Sequence, residues 1–302
     1  MYDIIIIGGG PAGLTAAVYA RRAGKSALVL EKASFGGQIT YSPKIENFPS
    51  AISVSGTELA DKMMEQALAQ GADIELEEVI SVEKVDGGFK VQTDFSEYEA
   101  KAIVIATGAK HRLLGVEGEE NLVGKGISFC AVCDGAFYAN KEVMVIGGGN
   151  SALVEATLLA ETCKKVTVVQ NLPYLTGEKA TADALLSRDN VQVIYSTVVK
   201  EFKGEDELEA VVLKAEDGKE TTLTPDGVFV AIGLAPENTA FENLAELNEQ
   251  GYIKADENCL TKTEGVFVAG DCRTKAVRQI ATAASDGAVA ALKAVEFIDA
   301  NK

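Results

Sequence analysis

One strand–turn–helix–strand unit occurs twice in this chain. Residues Asp3 to Lys32 read as a strand over 3–7, a glycine turn, a helix to about Ala23 and a second strand, Ala27–Leu30, that closes at Glu31. Glu142 to Asn171 read the same way. Laid over each other without a gap, Gly8 falls on Gly147, Gly10 on Gly149, Gly13 on Ala152 and Glu31 on Gln170. Parallel strands joined through a helix restrict the fold to the α/β class, with a parallel sheet in each half. Each glycine has a task in such a unit. The first permits a tight turn, the second lets backbone approach a pyrophosphate, and the third position lets helix and strand pack closely. The helix N-terminus then offers unpaired N–H groups and the positive end of its dipole.

A lone glycine fingerprint is a weak signal, because such turns also serve plain packing. Two copies in matched strand–turn–helix context are a strong one. In the first copy Glu31 stands close to the ~20-residue spacing of an acidic residue that hydrogen-bonds a ribose diol. The second copy has Gln170 at that place.

Between Glu31 and Ser55 runs a long loop, and loops of this length inside compact domains are usually functional. Its Gly36, Gly37, Gln38 and Asn47 are small or amide residues suited to lying against a flat polar ring; the alternative is an ordinary surface excursion. Ser55-Gly-Thr-Glu58 has capping-box form and opens a helix that ends near Gly71. From Asp73 to Ala100 the alternation predicts a small antiparallel meander. Ile103 to Ala106 is a short buried strand running into Thr107-Gly108, at the sheet end where open α/β sheets bind ligands. His111, in the turn Lys110-His-Arg112, reads as a surface residue or a phosphate neighbour. Further on, a helix is expected over 177–187, and strands over 191–194, 209–213 and 228–231. Gly265 to Asp271 is another buried strand ending in Gly-Asp, and an Ala-rich helix follows from Arg278 to Ala300.

Cys130-Ala-Val-Cys133-Asp134 carries the chemistry. Two cysteines separated by two residues can close and reopen a small disulfide, and the carboxyl after the second supplies a proton donor. Half a zinc site is the competing reading, but a structural site wants four ligands. The other cysteines, Cys163, Cys259 and Cys272, are scattered, and His111 is the only histidine, so no metal site is expected.

At 302 residues and 47% hydrophobic composition, the chain is long enough for two cored domains. Five cysteines do not form a secreted disulfide framework, so a reducing, cytoplasmic setting is expected. A formal charge of −17 argues against nucleic acid or an anionic membrane as partner. No apolar run approaches the ~18 residues of a membrane span, and the amino terminus lacks the form of a signal peptide.

With these pieces together, the sequence resembles the low-molecular-weight thioredoxin reductases over essentially its full length. The matching stretches are Gly8-Gly-Gly-Pro-Ala-Gly13, Gly36-Gly-Gln38, Glu46-Asn-Phe-Pro49, Ala106-Thr-Gly108, Cys130-Ala-Val-Cys-Asp-Gly135, Gly147-Gly-Gly-Asn-Ser-Ala152, Gly270-Asp271 and Arg278-Gln279. The resemblance implies two Rossmann-like, three-layer ββα dinucleotide-binding domains, the second inserted into the first. An FAD domain would span 1–113 and 242–302, and a nicotinamide-type domain 114–241. It further implies a homodimer, a rotation of one domain on the other, with Gly115, Gly118 and Pro236 as hinge candidates, and thioredoxin or a thioredoxin-like protein as partner.

Roles carry over by position. Cys133 is the sulfur next to the flavin, Cys130 the one that attacks the partner disulfide, and Asp134 the proton shuttle. FAD falls to Gly8, Gly10, Pro11, Ala12, Gly13, Glu31 and Lys32 at its adenosine and phosphate end. Gly36, Gly37, Gln38, Asn47, Thr107, Gly108, Gly270, Asp271, Arg278, Gln279 and Ile280 fall along the rest of it. Gly147, Gly149, Asn150, Ser151 and Gln170 would serve a nicotinamide nucleotide.

The chain departs from the family at one place. NADPH-using members follow the second unit's strand with a histidine and arginines that clasp the 2′-phosphate, whereas Val166 to Thr176 contains no basic residue. Gln170 leaves NADH open through the ribose diol. Reduced ferredoxin, as in a pyridine-nucleotide-independent branch of the family, is a third donor. Two rival functions share the same parts: an FAD-dependent dithiol oxidase using oxygen, and a non-catalytic flavin-bound redox sensor.

Overall fold

The computed structural model describes Met1–Asn301 and divides into two compact units, Met1–Lys110 with Ala235 onward, and His111–Leu234. The boundaries inferred from sequence, 113/114 and 241/242, lie a few residues beyond these. Phe241, Leu244 and Ala245 bury themselves in a cluster with Ile5 and Phe89, which fixes them in the first unit. Leu114 and Gly115 donate their backbone N–H groups to the carboxylate of Glu119, which fixes them in the second.

The first unit is built on a seven-stranded sheet. Its order is Asp73–Leu76, Ala27–Glu31, Tyr2–Ile7, Glu97–Ile105, Gly88–Thr93 and Val79–Val85, with Val266–Val268 also pairing parallel to Glu97–Ile105. Ile4 to Ile7 are consecutive apolar residues because both faces of this strand are covered. Ile4 and Ile6 pack with Leu14, Ala17 and Ala290 on one side, and Ile5 and Ile7 with Phe89 and Phe241 on the other. Helices Pro11–Arg22 and Ile280–Ala300 lie against each other on the first of these faces. A Cβ on Gly287 would stand 2.1 Å from the carbonyl oxygen of Ala12, so only glycine allows the two helices this approach.

The expected meander holds only in part. Val79–Val85, Gly88–Thr93 and Glu97–Ile105 are antiparallel neighbours, but Asp73–Leu76 runs parallel to Ala27–Glu31 at the far edge. Helix Gly56–Ala69 precedes it, and a helical crossover returns the chain in a parallel sense. Ser55 caps that helix by accepting from the N–H of Glu58.

A buried ionic knot holds the end of this sheet. Arg273, 2% exposed, donates two hydrogen bonds of 2.8 Å to Asp286, and Lys275 and the N–H of Gly270 reach the same carboxylate at 2.9 and 3.0 Å. Burial alone would raise the Asp286 carboxyl, but its hydrogen bonds with Arg273 and Lys275 hold it below the usual range. Its contribution is therefore present above the ordinary aspartate pKa and is lost as pH falls through the lowered value. Asp286→Asn removes the buried carboxylate that Arg273 and Lys275 share, leaving Arg273 a single 3.4 Å contact with the exposed Glu257, and a destabilisation of about 3–5 kcal/mol is expected in denaturant unfolding at neutral pH.

The second unit has a five-stranded parallel sheet in the order Val191–Ile194, Lys165–Val169, Glu142–Ile146, Gly227–Val230 and Ile127–Ser128. Helices Asn150–Thr162 and Lys179–Leu186 belong to it, the latter two residues shorter at its start than the sequence indicates. An antiparallel sheet of Thr197–Lys203, Ala210–Ala215 and Glu220–Leu223 completes the unit. The two outer strands of that sheet are not legible in the sequence. Among the described residues no helix is long and apolar enough to cross a membrane.

Candidate active site

The two glycine fingerprints share their geometry. Gly8 and Gly147 have φ of 112° and 125°, and a Cβ would lie 2.3 Å from the oxygen of Ala106 in one case and 2.6 Å from that of Ala231 in the other. A Cβ on Gly13 would stand 1.9 Å from the oxygen of Gly8. Turn and packing therefore demand these three glycines whatever is bound. Gly10 differs. Its φ of −80° suits any residue, and a Cβ there would meet only the oxygen of Gly36, at 3.8 Å. Among the described residues nothing explains that glycine, whereas a phosphate brought against the backbone does.

Around this turn the first unit collects most of the predicted flavin residues. The carboxylate of Glu31 accepts from the N–H of Gly9 at 2.7 Å and of Ala33 at 2.9 Å, and its remaining lone pairs can take ribose hydroxyls. A cleft of about 350 Å³ is lined by Gly8, Glu31, Lys32, Thr107, Glu237 and Phe241. Lys32 is drawn to Glu237 at 2.6 Å. Asn47 donates to Gln279 at 3.3 Å, which brings the long loop to the start of the last helix, where Gln279 is the N-cap. Gly36 and Gly37 turn with positive φ into the short helix Gly37–Tyr41, which includes Gln38.

Asp271 follows strand Val266–Val268 and has one carboxyl oxygen, Oδ1, buried without a partner. Burial pushes its carboxyl up to about 6, against the opposing pull of Lys275 and Arg278. A buried carboxyl oxygen with no donor is costly unless a ligand hydroxyl supplies one. The residues present therefore fit FAD: a pyrophosphate at Gly10, a ribose at Glu31 and a polyol at Asp271. Arg278 also has a structural part. Its guanidinium lies over the ring of Tyr252 and donates to the carbonyls of Asp271, Arg273 and Lys275, so it braces the loop that carries Asp271.

Asn238, 1% exposed, has no motif to announce it. Its amide donates to the carbonyls of Gly251 and Cys272 and its oxygen accepts from Thr107, tying the Thr107-Gly108 turn to the residue after Asp271.

In the second unit Cys130 and Cys133 are joined by a disulfide. Cys130 caps the short helix Ala131–Asp134, and the N–H of Cys133 points at its sulfur at 3.2 Å. Ser128 donates its hydroxyl to Asp134 at 2.6 Å and accepts from the N–H of Cys130 at 3.1 Å, so one serine positions both the carboxyl and the first cysteine. Oδ1 of Asp134 is buried and unpartnered. Burial raises the Asp134 carboxyl and the Ser128 bond only partly offsets this, so the surroundings favour its protonated form more than water does. His111 is not the exposed residue that its basic turn suggests. It stacks on Phe129, the neighbour of Cys130, with ring centroids 4.6 Å apart, and burial lowers its imidazole to about 4.

The second fingerprint is closed over by its own chain. The carbonyl of Gly148 accepts from the N–H groups of Thr176 and Gly177, and Asn150 accepts from that of Glu178. Gln170, the predicted ribose contact, is 3% exposed and uses its amide on the carbonyl of Tyr174 and the N–H of Asn171. Its side chain fills the space beside Gly148, where a Cβ would come within 2.6 Å of it. Ser151 is exposed. Gly115 and Gly118 are held inside this unit, the first through Glu119 and the second with a would-be Cβ 2.1 Å from the oxygen of Phe202.

Comparison with known proteins agrees with this geometry. Residues 2–287 match the family described as pyridine nucleotide-disulphide oxidoreductase. A protein of Clostridium pasteurianum described as a 34.2 kDa protein in the rubredoxin operon is 44% identical, over 98% of this chain and 97% of its own. Thioredoxin reductase of Listeria monocytogenes is 42% identical, over 99% and 94% respectively. The crystal structure of thioredoxin reductase from Streptococcus pyogenes superposes with a TM-score of 0.95 at 39% identity, covering 99% of each chain. The chain thus belongs to the pyridine nucleotide-disulphide oxidoreductases, in their low-molecular-weight thioredoxin reductase branch.

Proposed function

We propose that this chain is an FAD-dependent reductase of the disulfide of thioredoxin or a thioredoxin-like protein. The observation that carries the reading is the Cys130–Cys133 disulfide with the Ser128–Asp134 pair hydrogen-bonded into its turn. Bound flavin supplies the electron pair that opens this disulfide. Cys130 is the attacking sulfur, because the N–H of Cys133 aimed at it favours the thiolate form. Attack on the partner gives a mixed disulfide and releases one partner thiolate, which Asp134 protonates. Cys133 then displaces the second partner sulfur, and the 130–133 disulfide closes again with the partner left as a dithiol. Flavin binding is assigned to the first unit, on Gly10, Glu31 and Asp271.

The donor reads as one without a 2′-phosphate, on the absence of any cation between Val166 and Thr176. Within that class, the burial of Gln170 and the return of 176–178 onto Gly148 and Asn150 favour a protein electron carrier of the ferredoxin type over NADH. Anaerobic stopped-flow mixing of the flavin-loaded enzyme with NADPH, NADH and reduced ferredoxin tests this. Bleaching of the flavin by ferredoxin, with NADPH slower by a factor of about 100 or more, is the expected order; losing two charge-assisted contacts costs on that scale. Fast bleaching by micromolar NADPH overturns the donor reading and leaves the reductase reading standing.

A further inference from the structure

A second carboxyl lies against the redox turn, and neither the dithiol chemistry above nor any motif uses it. Glu155 sits on helix Asn150–Thr162, on the face that packs against helix Ala131–Asp134. Leu159, one helical turn further along, touches the other end of the same turn: a Cβ on Gly135 would stand 3.2 Å from its Cδ2. The backbone amide of Ala131, the residue after Cys130, interacts with the Glu155 carboxyl. The carboxyl's Oε2 is buried and has no hydrogen-bond partner. A carboxylate so placed is held in poor surroundings for a charge.

Among the described residues no cation offsets that charge. The ionisable groups on the elements packed against this helix are Asp134, Tyr138, Glu142, Lys165, Lys179 and Asp183, and none of them contributes to the state of Glu155. Glu142 is paired with Lys164, and Lys179 with Asp183. Burial pushes the Glu155 carboxyl up to about 7, with the Ala131 amide opposing.

We propose that Glu155 is a positioning and proton-holding group for the Cys130–Cys133 pair, taking up a proton as the disulfide opens and returning it as the disulfide closes. This rests on the redox role given to the pair under the proposed function. Opening the disulfide takes two electrons. One proton goes to one sulfur and the second to Glu155, which lets the other sulfur remain a thiolate without a second negative charge nearby. Closing reverses both transfers. Like charges in one buried site cannot both persist, so thiol and carboxyl titrate as a coupled pair.

The test uses flavin-loaded enzyme reduced anaerobically with dithiothreitol, which supplies both electrons and both protons as it cyclises. Alkylation of Cys130 by iodoacetamide is followed against pH by mass spectrometry. The unsubstituted enzyme is expected to show two breaks. Glu155→Gln removes the charge that opposes the thiolate once the carboxyl ionises, so a single break remains, about one pH unit below the upper break of the unsubstituted enzyme. Glu155→Asp, which keeps the ionisable group, retains two. In dithiothreitol redox buffers at alkaline pH, the same substitution to Gln shifts the equilibrium ~10-fold toward the reduced pair, about 30 mV for a two-electron couple. Superimposable profiles for the unsubstituted and Gln enzymes overturn the proposal, as does an Asp variant that behaves like the Gln one.

Infrared difference spectra on reduction of the Asp134→Asn enzyme give a second reading that needs no change at Glu155. A protonated-carboxyl stretch gained on reduction supports the role, and its absence overturns it. A pair that dithiothreitol cannot open overturns the proposed function itself, an outcome distinct from a pair that opens with an unaltered profile.

Discussion

Cys133→Ser is expected to give a folded, yellow protein that no longer turns over disulfides. Flavin retention follows from placement: the residues assigned to it, Gly10, Glu31 and Asp271, belong to the first unit, and Cys133 to the second. The cost in stability is small, because a disulfide between residues three apart closes a very short loop and constrains the unfolded chain by about 2 kcal/mol at most. Catalysis fares differently. Cys130 keeps the Cys133 backbone N–H that favours its thiolate, so attack on a partner disulfide still proceeds. Without a sulfur at position 133, nothing displaces the partner from the mixed disulfide. Turnover should fall on the order of 10³-fold or more, the scale seen when one member of a catalytic unit is removed. A covalent adduct with oxidised thioredoxin should accumulate, visible as a mass increase that a small dithiol reverses. Undiminished turnover would mean that the 130/133 pair is not the route of electrons to the disulfide. An unsubstituted enzyme that turns over no disulfide would favour the redox-sensor reading, and one that consumes oxygen with a small dithiol without reducing thioredoxin would favour the dithiol oxidase.

The parts of this fold that steric necessity dictates were readable from residue types alone. Gly8, Gly13 and Gly147 stand where a Cβ would strike backbone, and Ile4 to Ile7 form a run because both sheet faces are covered. Direction of pairing is another matter. The alternation Ile74-Glu-Leu76 is the same for a parallel edge strand as for a hairpin arm, and only the preceding crossover helix decides between them. Thr197–Lys203 escaped for a local reason. A bulge between Val199 and Glu201 shifts the register, so Val199 and Phe202 are both buried at a spacing of three rather than two, and the alternation that marks a strand is broken. Polar residues whose work depends on burial carried no signal at all. Ser128, Asn238, Glu155 and Asp286 are ordinary letters until the chain around them excludes water and leaves specific atoms to be satisfied. Gln170 shows the converse: its place in the repeat points to a ribose, while its amide bonds the adjacent segment at Asn171 and Tyr174, a contact no spacing announces.

The first fingerprint can be tested by separating what the protein requires of its glycines from what a ligand requires. Gly13→Ala puts a methyl 1.9 Å from the oxygen of Gly8 and 3.2 Å from Ile6 Cγ2, and neither can retreat, since Gly8 is fixed in the turn and Ile6 lies in the core. A loss above ~4 kcal/mol is expected, in the range that abolishes folded protein. Gly10→Ala puts its methyl into space where only the oxygen of Gly36 lies near, at 3.8 Å, and the backbone there is ordinary extended chain. Exchanging one weak N-cap residue for a weaker one should change the stability of the flavin-free protein by no more than about 1 kcal/mol in denaturant unfolding. Flavin affinity is where the substitution should register. A methyl between the backbone and a pyrophosphate overpacks the contact by about 1–3 kcal/mol, a ~10–100-fold loss that equilibrium dialysis of the released flavin can read. Gly10→Ala protein that binds flavin as tightly as the unsubstituted chain would mean that no phosphate approaches this turn, and the assignment of flavin to the first unit would have to be abandoned even if the dithiol chemistry survived every other trial.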